Sequence, residues 1–408
     1  MILYYWRMPL LLQGSINFAH MRNLFLSILC CCFLLPAGAQ NTVRVGAARM
    51  EAYLPMLKNK RVALLVNQTA TIGSTHLVDS LLSRGIKIQK IFSPEHGFRG
   101  DADAGEKIGN SRDAATGLPI VSLYGKHRKA DANDLADVDI LIFDIQDVGA
   151  RFYTYISSLQ ELMESAATYK KPLIVLDRPN PNGHIVDGPI LDKAFRSFVG
   201  MQSIPILHGM TVGEYAGMLN GESWLTGGLH CDLKVITCEN YDHHTMYQLP
   251  VKPSPNLPNM ASIYLYASLC FFEGTAVSLG RGTDLPFQVY GHPDFPRNLF
   301  SFTPRSVPGA KNPVLNGQTC YGYNLSGTPE AVRKEVNGKL QLRWLLNAYK
   351  LFPGKEHFFN NFFNKLAGNS TLQEQIKKGL TEDAIRKSWE PGLKTFKKIR
   401  AKYLLYNE

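Results

Sequence analysis

The sequence predicts an α/β protein with a doubly wound parallel sheet, followed by a second, smaller α+β domain. Through the first half of the chain, short and almost continuous apolar runs alternate with segments of helical period. Strands that are covered by helices on both faces have this composition. After about residue 240 the alternation stops and Pro and Gly become frequent, while the length of 408 residues is sufficient for two domains.

The predicted strands are runs rich in Val, Ile and Leu. The first reads RVALLV at residues 61–66, which is typical of a strand without a solvent face. The later strands are predicted at residues 86–92, 119–124, 138–144 and 173–176. Parallel strands joined by right-handed crossovers bring their carboxyl ends to one edge of the sheet, where ligands bind in this class of fold.

The predicted helices fill the intervals between these strands. Residues 154–169 place their apolar side chains at helical spacing, and residues 76–82 form a helix that stops before Gly85. Further helices are expected at 212–219, 340–351 and 371–387. We place the domain boundary so that residues 40–240 form the first domain and residues 241–408 form the C-terminal one.

The first 39 residues have the pattern of an export signal. A basic start at Met21-Arg22 precedes an apolar stretch and the small residues Ala37-Gly38-Ala39. We therefore predict that translation starts at Met21, that residues 1–39 are removed, and that the protein is exported to the periplasm. Cysteines in the apolar stretch leave a lipidated, membrane-tethered form as the alternative, although Leu29 precedes Cys30 where lipidation signals carry a small residue.

Composition and motifs exclude several classes of function. The net charge of +10 falls to +8 when residues 1–39 are removed, since these contain two arginines and no acidic residue. Export makes nucleic acid an improbable partner of this basic chain, and no apolar run reaches the length of about 18–20 residues that a membrane span needs. The sequence contains no phosphate-binding loop, no dinucleotide fingerprint and no H-E-x-x-H motif. We expect no cofactor and no metal.

Four cysteines lie outside the export signal. They are Cys231, Cys238, Cys270 and Cys320, and none shows paired C-x-x-C spacing. This argues against a structural zinc site. Export permits one disulfide, but apolar core positions of a strand are the better interpretation for Cys231 and Cys238.

Polar and charged side chains concentrate where three of the predicted strands end. Because these ends meet at one sheet edge, we predict a functional site there. The candidates are Glu95, His96 and Arg99 after the second strand, Asp144, Gln146, Asp147, Arg151 and Tyr153 after the fourth, and Asp177, Arg178 and Asn180 after the fifth.

The second domain supplies three further candidates. Asn256 lies in a Pro-rich extended segment, whereas Glu273 and Arg281 lie in polar, glycine-flanked patches. Clefts between domains are common ligand sites, so Glu273 and Arg281 are expected to close over a ligand held by the first domain, with simple turns as the alternative for these patches.

An ordered series of motifs resembles the NamZ family of exo-β-N-acetylmuramidases over residues 42–408. The motifs are SPEHG at 93–97, DIQDVG at 144–149, RFYT at 151–154, DRPNP at 177–181, SPNLP at 254–258 and EGT at 273–275. The resemblance implies a Rossmann-like catalytic domain with an auxiliary C-terminal domain. It further implies release of N-acetylmuramic acid from the non-reducing end of peptidoglycan fragments, muropeptides or disaccharides, with Glu95 as the main catalytic carboxylate.

The chemistry of glycoside cleavage sets expectations for the other residues. A proton must reach the leaving oxygen while an oxocarbenium-like centre develops, and two carboxyl groups commonly take part. Asp144, Asp147 and Glu273 are the alternatives for the second carboxyl group. In a further alternative, the 2-acetamido group of the substrate acts as an internal nucleophile.

Muramic acid also carries a lactyl carboxylate, for which an arginine is the natural bidentate partner. Arg99, Arg151, Arg178 and Arg281 are the candidates. Tyr153, Tyr155 and Phe287 are candidates for stacking on sugar faces.

Two other functions are compatible with the sequence. The first is a non-enzymatic periplasmic protein that binds sugars or muropeptides in a cleft between domains. The second is a different hydrolase, such as an amidase or an esterase, although the chain has no G-x-S-x-G elbow.

Overall fold

The structure is a computed structural model that describes residues 42–99, 106 and 109–408. The predicted export signal at residues 1–39 lies outside the described residues. Residues 43–408 pack as one compact unit, and the division at residue 240 stays a prediction. No helix among the described residues is long and apolar enough to cross a membrane.

The strands and helices follow the predicted alternation through the first half of the chain. The strands are β1 Arg61–Val66, β2 Thr71–Ile72, β3 Thr75–His76, β4 Lys87–Ser93, β5 Ser111–Arg112, β6 Pro119–Ser122, β7 Ile140–Asp144, β8 Leu173–Leu176, β9 Val186–Asp187, β10 Leu207–His208, β11 Leu233–Ile236, β12 Val289–His292, β13 Phe300–Phe302 and β14 Cys320–Asn324. The α-helices are α1 Met50–Leu57, α2 Leu77–Leu82, α3 Ala132–Leu135, α4 Tyr155–Thr168, α5 Val212–Gly221, α6 Met260–Leu269, α7 Pro329–Val336, α8 Arg343–Leu351, α9 Phe363–Ala367, α10 Thr371–Lys377 and α11 Glu382–Arg400.

A seven-stranded sheet forms the centre of the molecule. Its strand order is β11-β8-β7-β1-β4-β6-β5, and every pair is parallel except the edge pair of β5 with β6. The order reverses at β1, as in a doubly wound sheet. The predicted α/β fold class is confirmed.

Helices cover both faces of this sheet. Alternate side chains of β1 enter two different apolar cores: Ala63 and Leu65 pack in the core that includes α4 and α5, whereas Val62, Leu64 and Val66 pack in the core that includes α1 and α2. The near-continuous apolar composition of β1 follows from burial on both faces.

The second half of the chain packs against the first. The three-stranded antiparallel sheet has the order β12-β14-β13, and helices α6 to α11 belong to the same half of the chain. Leu265 of α6 and Leu345 of α8 belong to the same apolar core as Leu159 of α4. This shared core fixes the second half against the carboxyl edge of the parallel sheet.

Two local predictions differ from the structure. The predicted helix at 371–387 is two helices, because Gly379 has a left-handed φ of 73° after α10 and Thr381 caps α11 by accepting from the Ala384 amide at 3.3 Å. The strand expected to contain Cys231 and Cys238 is the shorter β11, which lies between the two cysteines and includes neither.

The four cysteines are buried and their thiols are free. The structure thus confirms the core interpretation of Cys231 and Cys238, which lie on either side of β11.

Candidate active site

A cavity of about 590 Å³ lies beyond the carboxyl ends of β4 and β6. Residues from both halves of the chain line it. The predicted site residues among them are Glu95, His96, Tyr153, Glu273 and Arg281, together with the predicted stacking residues Tyr155 and Phe287. The structure therefore brings together candidates that are nearly 200 positions apart in the sequence.

Glu95 reaches the cavity from a tight turn that follows β4. The turn contains two successive residues with left-handed backbone, His96 at a φ of 68° and Gly97 at 76°. The Gly97 amide donates to the Pro94 carbonyl at 3.0 Å. A non-glycine residue in this conformation is strained, and such strain is concentrated at functional sites. The turn directs the chain away from the strand and leaves the Glu95 side chain at the cavity wall.

Two hydroxyl groups hold the Glu95 carboxyl group. The Tyr124 hydroxyl donates to Oε1 at 2.8 Å, and the Thr154 hydroxyl donates to Oε2 at 2.6 Å. Thr154 occupies the position before α4, where a Thr hydroxyl ordinarily accepts from the first turn of the helix. Here it makes no such cap and serves Glu95 instead. Both carboxyl oxygens therefore have a defined orientation relative to the cavity.

Burial, and then the nearby Glu95 carboxyl group, raise the pKa of Tyr124 above its ordinary value. The phenol consequently keeps its proton across the ordinary pH range. It remains a hydrogen-bond donor to Glu95 under those conditions.

The second half of the chain contributes a carboxylate with its own cation. Arg281 Nη2 lies 2.6 Å from Oε1 of Glu273, and Arg281 Nε donates to the same oxygen at 3.2 Å. The Arg281 guanidinium also lies over the Phe287 ring, 4.9 Å from its centroid. The ion pair and the ring together fix Glu273 at the cavity wall.

Aromatic rings connect these two parts of the wall. Tyr153 packs edge to face on Tyr155 with centroids 4.8 Å apart, and Tyr266 contacts Tyr153 at 5.5 Å and Phe287 at 4.9 Å. Rings of this kind offer flat apolar surfaces with polar edges, which suits the alternating C–H and hydroxyl faces of a sugar.

Three cationic side chains line the cavity among the residues that the structure describes, and of these only Arg281 was predicted from the sequence. The guanidinium carbon of Arg128 lies 4.5 Å from the centroid of the Phe198 ring, and Lys365 lies within α9. Arg281 is paired with Glu273, whereas Arg128 and Lys365 have no carboxylate partner within the part of the chain that the structure describes. An anionic ligand group would find two positive charges here that no described carboxylate meets at ion-pair distance.

Asp144 and Arg178 do not line the cavity. They form a buried ion pair, in which Arg178 Nη2 lies 2.8 Å from Oδ2 of Asp144 and 3.0 Å from the Thr71 carbonyl. The carboxylate compensates the buried guanidinium, so the pair joins the ends of β7 and β8 rather than facing a ligand.

Asp147 is also buried behind the wall. Its Oδ2 accepts from the Gly149 amide at 2.6 Å and lies 3.8 Å from Nε2 of His208. Burial raises the pKa of Asp147 to about 7 and lowers that of His208 to about 3. This buried pair lies outside the cavity lining.

Asp177 anchors α5 instead of lining the cavity. It accepts from the Gly213 amide at 2.9 Å and from the hydroxyls of Thr211 at 2.7 Å and Tyr406 at 2.6 Å. Burial raises its pKa to about 6.

The side-chain amides of Gln146 and Asn180 also bind the backbone. Gln146 Nε2 donates to the Pro179 carbonyl, and Asn180 Nδ2 donates to the Met210 carbonyl.

Arg151 is fully buried and its guanidinium donates to four carbonyls. The acceptors are Pro189 and Ile204 on one side and Leu366 and Ala367 on the other, all between 2.8 and 2.9 Å. Burial lowers its pKa to about 9. Arg151 joins α9 to the first half of the chain and does not line the cavity.

The two remaining predicted residues also lie elsewhere. Arg99 is exposed and pairs with Asp113, while the Asn256 amide donates to the Gly309 carbonyl at 2.7 Å. Neither side chain lines the cavity.

His127, Asp131 and Asp134 form a cluster of metal-ligand types outside the cavity lining. Its atoms already have partners, since Asp131 accepts from the Asn133 and Asp134 amides and Asp134 bonds to His127 at 2.8 Å. This arrangement is a capping box at α3, so we assign it no metal.

Sequence reasoning missed Tyr124, Thr154, Arg128 and Lys365. Tyr124 was predictable in principle, because it closes the third predicted strand at the same edge as Glu95. Lys365 carried no local signal, since only the packing of α9 against the first half brings it to the cavity.

Comparison with known proteins places the chain in one family. The family model described as exo-β-N-acetylmuramidase NamZ, N-terminal, matches residues 62–261, and the C-terminal model of the same name matches residues 264–406. A peptidoglycan β-N-acetylmuramidase NamZ from Bacillus subtilis strain 168 is 38% identical over 373 residues, which cover 87% of this chain and 89% of that protein.

Two crystal structures of DUF1343 family proteins from Bacteroides fragilis NCTC 9343 share the fold. One is 48% identical with a TM-score of 0.83, covering 90% of this chain and 100% of the other. The second is 27% identical with a TM-score of 0.74, covering 90% and 99%. From the two matching family models and this extent of identity, we conclude that the chain belongs to the NamZ exo-β-N-acetylmuramidase family.

Proposed function

We propose that the protein is an exo-acting glycoside hydrolase that releases N-acetylmuramic acid from the non-reducing end of peptidoglycan fragments, with Glu95 as the main catalytic carboxylate. One observation carries the assignment of Glu95. Its carboxyl group is held on both oxygens by Tyr124 and Thr154 at the wall of the cavity. The activity named for the Bacillus subtilis relative supplies the reaction class.

In this proposal Glu95 delivers the proton to the leaving glycosidic oxygen. A positioned carboxyl group is the usual source of this proton in glycosidases. Glu273 is the second carboxyl group, because it lines the same cavity whereas Asp144 and Asp147 are buried outside the lining. Arg281 holds Glu273 in place, and so the pair acts as one unit.

The acidic sugar accounts for the positive charge of the cavity. The lactyl carboxylate of N-acetylmuramic acid is assigned to Arg128 and Lys365, which have no carboxylate partner among the described residues. A charged hydrogen bond in a partly enclosed site is stronger than one between neutral groups. N-acetylglucosamine, which lacks the lactyl group, would leave both cations without a partner and would be disfavoured at this position.

Product analysis tests the reaction directly. Incubation with the disaccharide N-acetylmuramyl-N-acetylglucosamine should yield the two free monosaccharides, identified by mass. Tight binding without turnover would instead indicate a sugar-binding protein. Release of a peptide from an intact glycan would indicate an amidase.

We further propose that the protein acts in the periplasm after removal of residues 1–39. The basic, apolar and small-residue order of that segment supports this. The intact mass of the protein recovered from its native host, with and without a lipid adduct, tests both the cleavage and the lipidated alternative.

A further inference from the structure

A second cavity of about 660 Å³ adjoins the candidate active site. Arg128, Ser197 and Phe198 line both cavities. The rest of its lining comes from α4, from residues 193–202 and from residues 223–228. The two cavities are therefore neighbours that share one wall.

The shared wall is firmly attached to the body of the protein. The Ser157 hydroxyl donates to the Phe198 carbonyl at 2.7 Å, which ties the wall to α4. Ser197 and Gly200 exchange backbone hydrogen bonds at 3.0 Å, and the Arg196 guanidinium donates to Gln202 at 3.0 Å. These bonds give the second cavity a defined shape before a ligand binds.

The second cavity has a polar floor and aromatic sides. Gln202 Nε2 donates to Gln160 and to the Trp224 carbonyl, both at 3.0 Å, and the Thr226 hydroxyl donates at 2.9 Å to Glu164, which is outside the lining. Phe198 and Trp224 supply the aromatic surface. Polar groups next to aromatic rings are the chemistry that recognises a sugar ring.

The charge of this lining selects an anionic sugar. Lys193 and Arg196 join Arg128 on the wall, and among the described lining residues the one carboxylate is that of Glu161, which already has Lys129 at 3.2 Å. Within the described ranges, neither Lys193 nor Arg196 has a carboxylate at ion-pair distance. A cavity with this excess of cations attracts a negatively charged ligand.

We propose that the second cavity binds the next muramic acid unit of a glycan strand, two sugars from the non-reducing end. This inference rests on the proposed function. Peptidoglycan strands alternate muramic acid with N-acetylglucosamine. When the terminal muramic acid occupies the first cavity, the following N-acetylglucosamine passes over the shared wall. The next muramic acid then presents a carboxylate to Lys193 and Arg196, either its own lactyl group or one on its peptide stem.

Substrates of two lengths test the proposal. We would measure kcat/KM on the disaccharide, on a peptide-free tetrasaccharide and on a peptide-bearing tetrasaccharide. The variants are Lys193→Gln/Arg196→Gln and the control Lys394→Gln/Lys398→Gln, which removes the same charge from the exposed surface of α11.

We expect the Lys193→Gln/Arg196→Gln variant to lose about tenfold on the tetrasaccharides and less than about twofold on the disaccharide, as the loss of a charged hydrogen bond predicts. The control should match wild type on all three substrates. A loss confined to the peptide-free tetrasaccharide identifies the lactyl carboxylate as the group bound, since attachment of a stem converts that carboxylate into an amide. A loss confined to the peptide-bearing one identifies a carboxylate of the stem, and a loss on both shows that the cavity accepts either group.

Equal activity of wild type and the variant on both tetrasaccharides overturns the proposal, and so does an equal loss on the disaccharide. A wild-type protein that leaves the disaccharide intact would refute the proposed function instead. In that event the Kd of the tetrasaccharides, measured by calorimetry, decides the matter: a tenfold weakening in the variant supports the second cavity, and no weakening overturns it.

Discussion

The Tyr124 hydroxyl lies 2.8 Å from Oε1 of Glu95, and the register of the sheet explains this contact. Ser93 of β4 lies opposite Ser122 of β6 in the parallel pair, and each of the two interacting residues stands two positions beyond its serine. The parallel pairing therefore brings the acid and its hydroxyl partner to the same level of the carboxyl edge.

Removal of this hydroxyl should slow the reaction without unfolding the protein. In Tyr124→Phe the Glu95 carboxyl group loses one of its two orienting donors, and we expect kcat to fall by about tenfold. Tyr321→Phe, which changes a tyrosine of β14 outside the cavity lining, is the matched control. Unchanged kcat in Tyr124→Phe, with the melting temperature of wild type, would show that the contact does not orient the acid.

Selectivity for muramic acid should depend on the two unpaired cations of the first cavity. We expect Arg128→Gln/Lys365→Gln to reduce the preference for N-acetylmuramyl over N-acetylglucosaminyl substrates by at least about tenfold, because the lactyl carboxylate loses its charged partners. The ratio of the two kcat/KM values is the measurement. An equal loss on both substrates would assign these side chains a role other than recognition of the lactyl group.

Arg151 is expected to stabilise the fold rather than bind substrate. Arg151→Met removes a charged donor from four buried carbonyls, of which those of Pro189 and Leu366 have no other donor among the described residues, and the free energy of unfolding should fall by about 3 kcal/mol or more. Urea denaturation of this variant and of the exposed control Arg305→Met checks the difference. A loss below about 1 kcal/mol in Arg151→Met would contradict the structural role.

Asp147 should make the stability depend on pH. Its folded-state pKa of about 7 exceeds its ordinary value of 3.8, so between these values the folded protein keeps a proton that the unfolded chain has released. The free energy of unfolding therefore falls as the pH rises through this window. The stability that the raised pKa provides is fully present only below the pKa of 3.8 that Asp147 has in the unfolded chain.

Asp147→Asn removes this ionisation. The quantity to compare is the free energy of unfolding of the variant minus that of wild type, and we expect it to be about 2 kcal/mol larger at pH 8 than at pH 5. One pKa unit corresponds to about 1.4 kcal/mol, and local relaxation relieves part of the effect of burial. Urea denaturation at the two pH values measures this difference. A difference of zero would mean that Asp147 ionises in the folded protein as it does in the unfolded chain.

The sequence allowed the central sheet and the edge that carries the site to be predicted, because burial on both faces leaves a clear apolar pattern. It did not distinguish between strand-end residues that reach a cavity and those that are buried. Asp144 is the last residue of β7 and remains between the layers with Arg178. Glu95 lies two residues beyond the end of β4. The left-handed turn that follows it leaves the Glu95 side chain at the cavity wall.

Charge alone was also an incomplete guide to function. Arg151 was a candidate for the substrate carboxylate, but backbone carbonyls from separate segments enclose it. Lys365 was not a candidate, although the packing of α9 places it in the lining. Both outcomes depend on contacts between segments more than 150 residues apart, which no local pattern encodes.

The kcat of Glu95→Gln on the N-acetylmuramyl disaccharide tests the central claim most directly. Glutamine keeps the shape and the hydrogen-bonding oxygen but has no acidic proton to deliver, so a fall of about a thousandfold is expected. Glu390→Gln, an exposed position on α11, should match wild type. A folded Glu95→Gln protein that releases muramic acid at the wild-type rate would contradict the assignment of Glu95 as the catalytic acid.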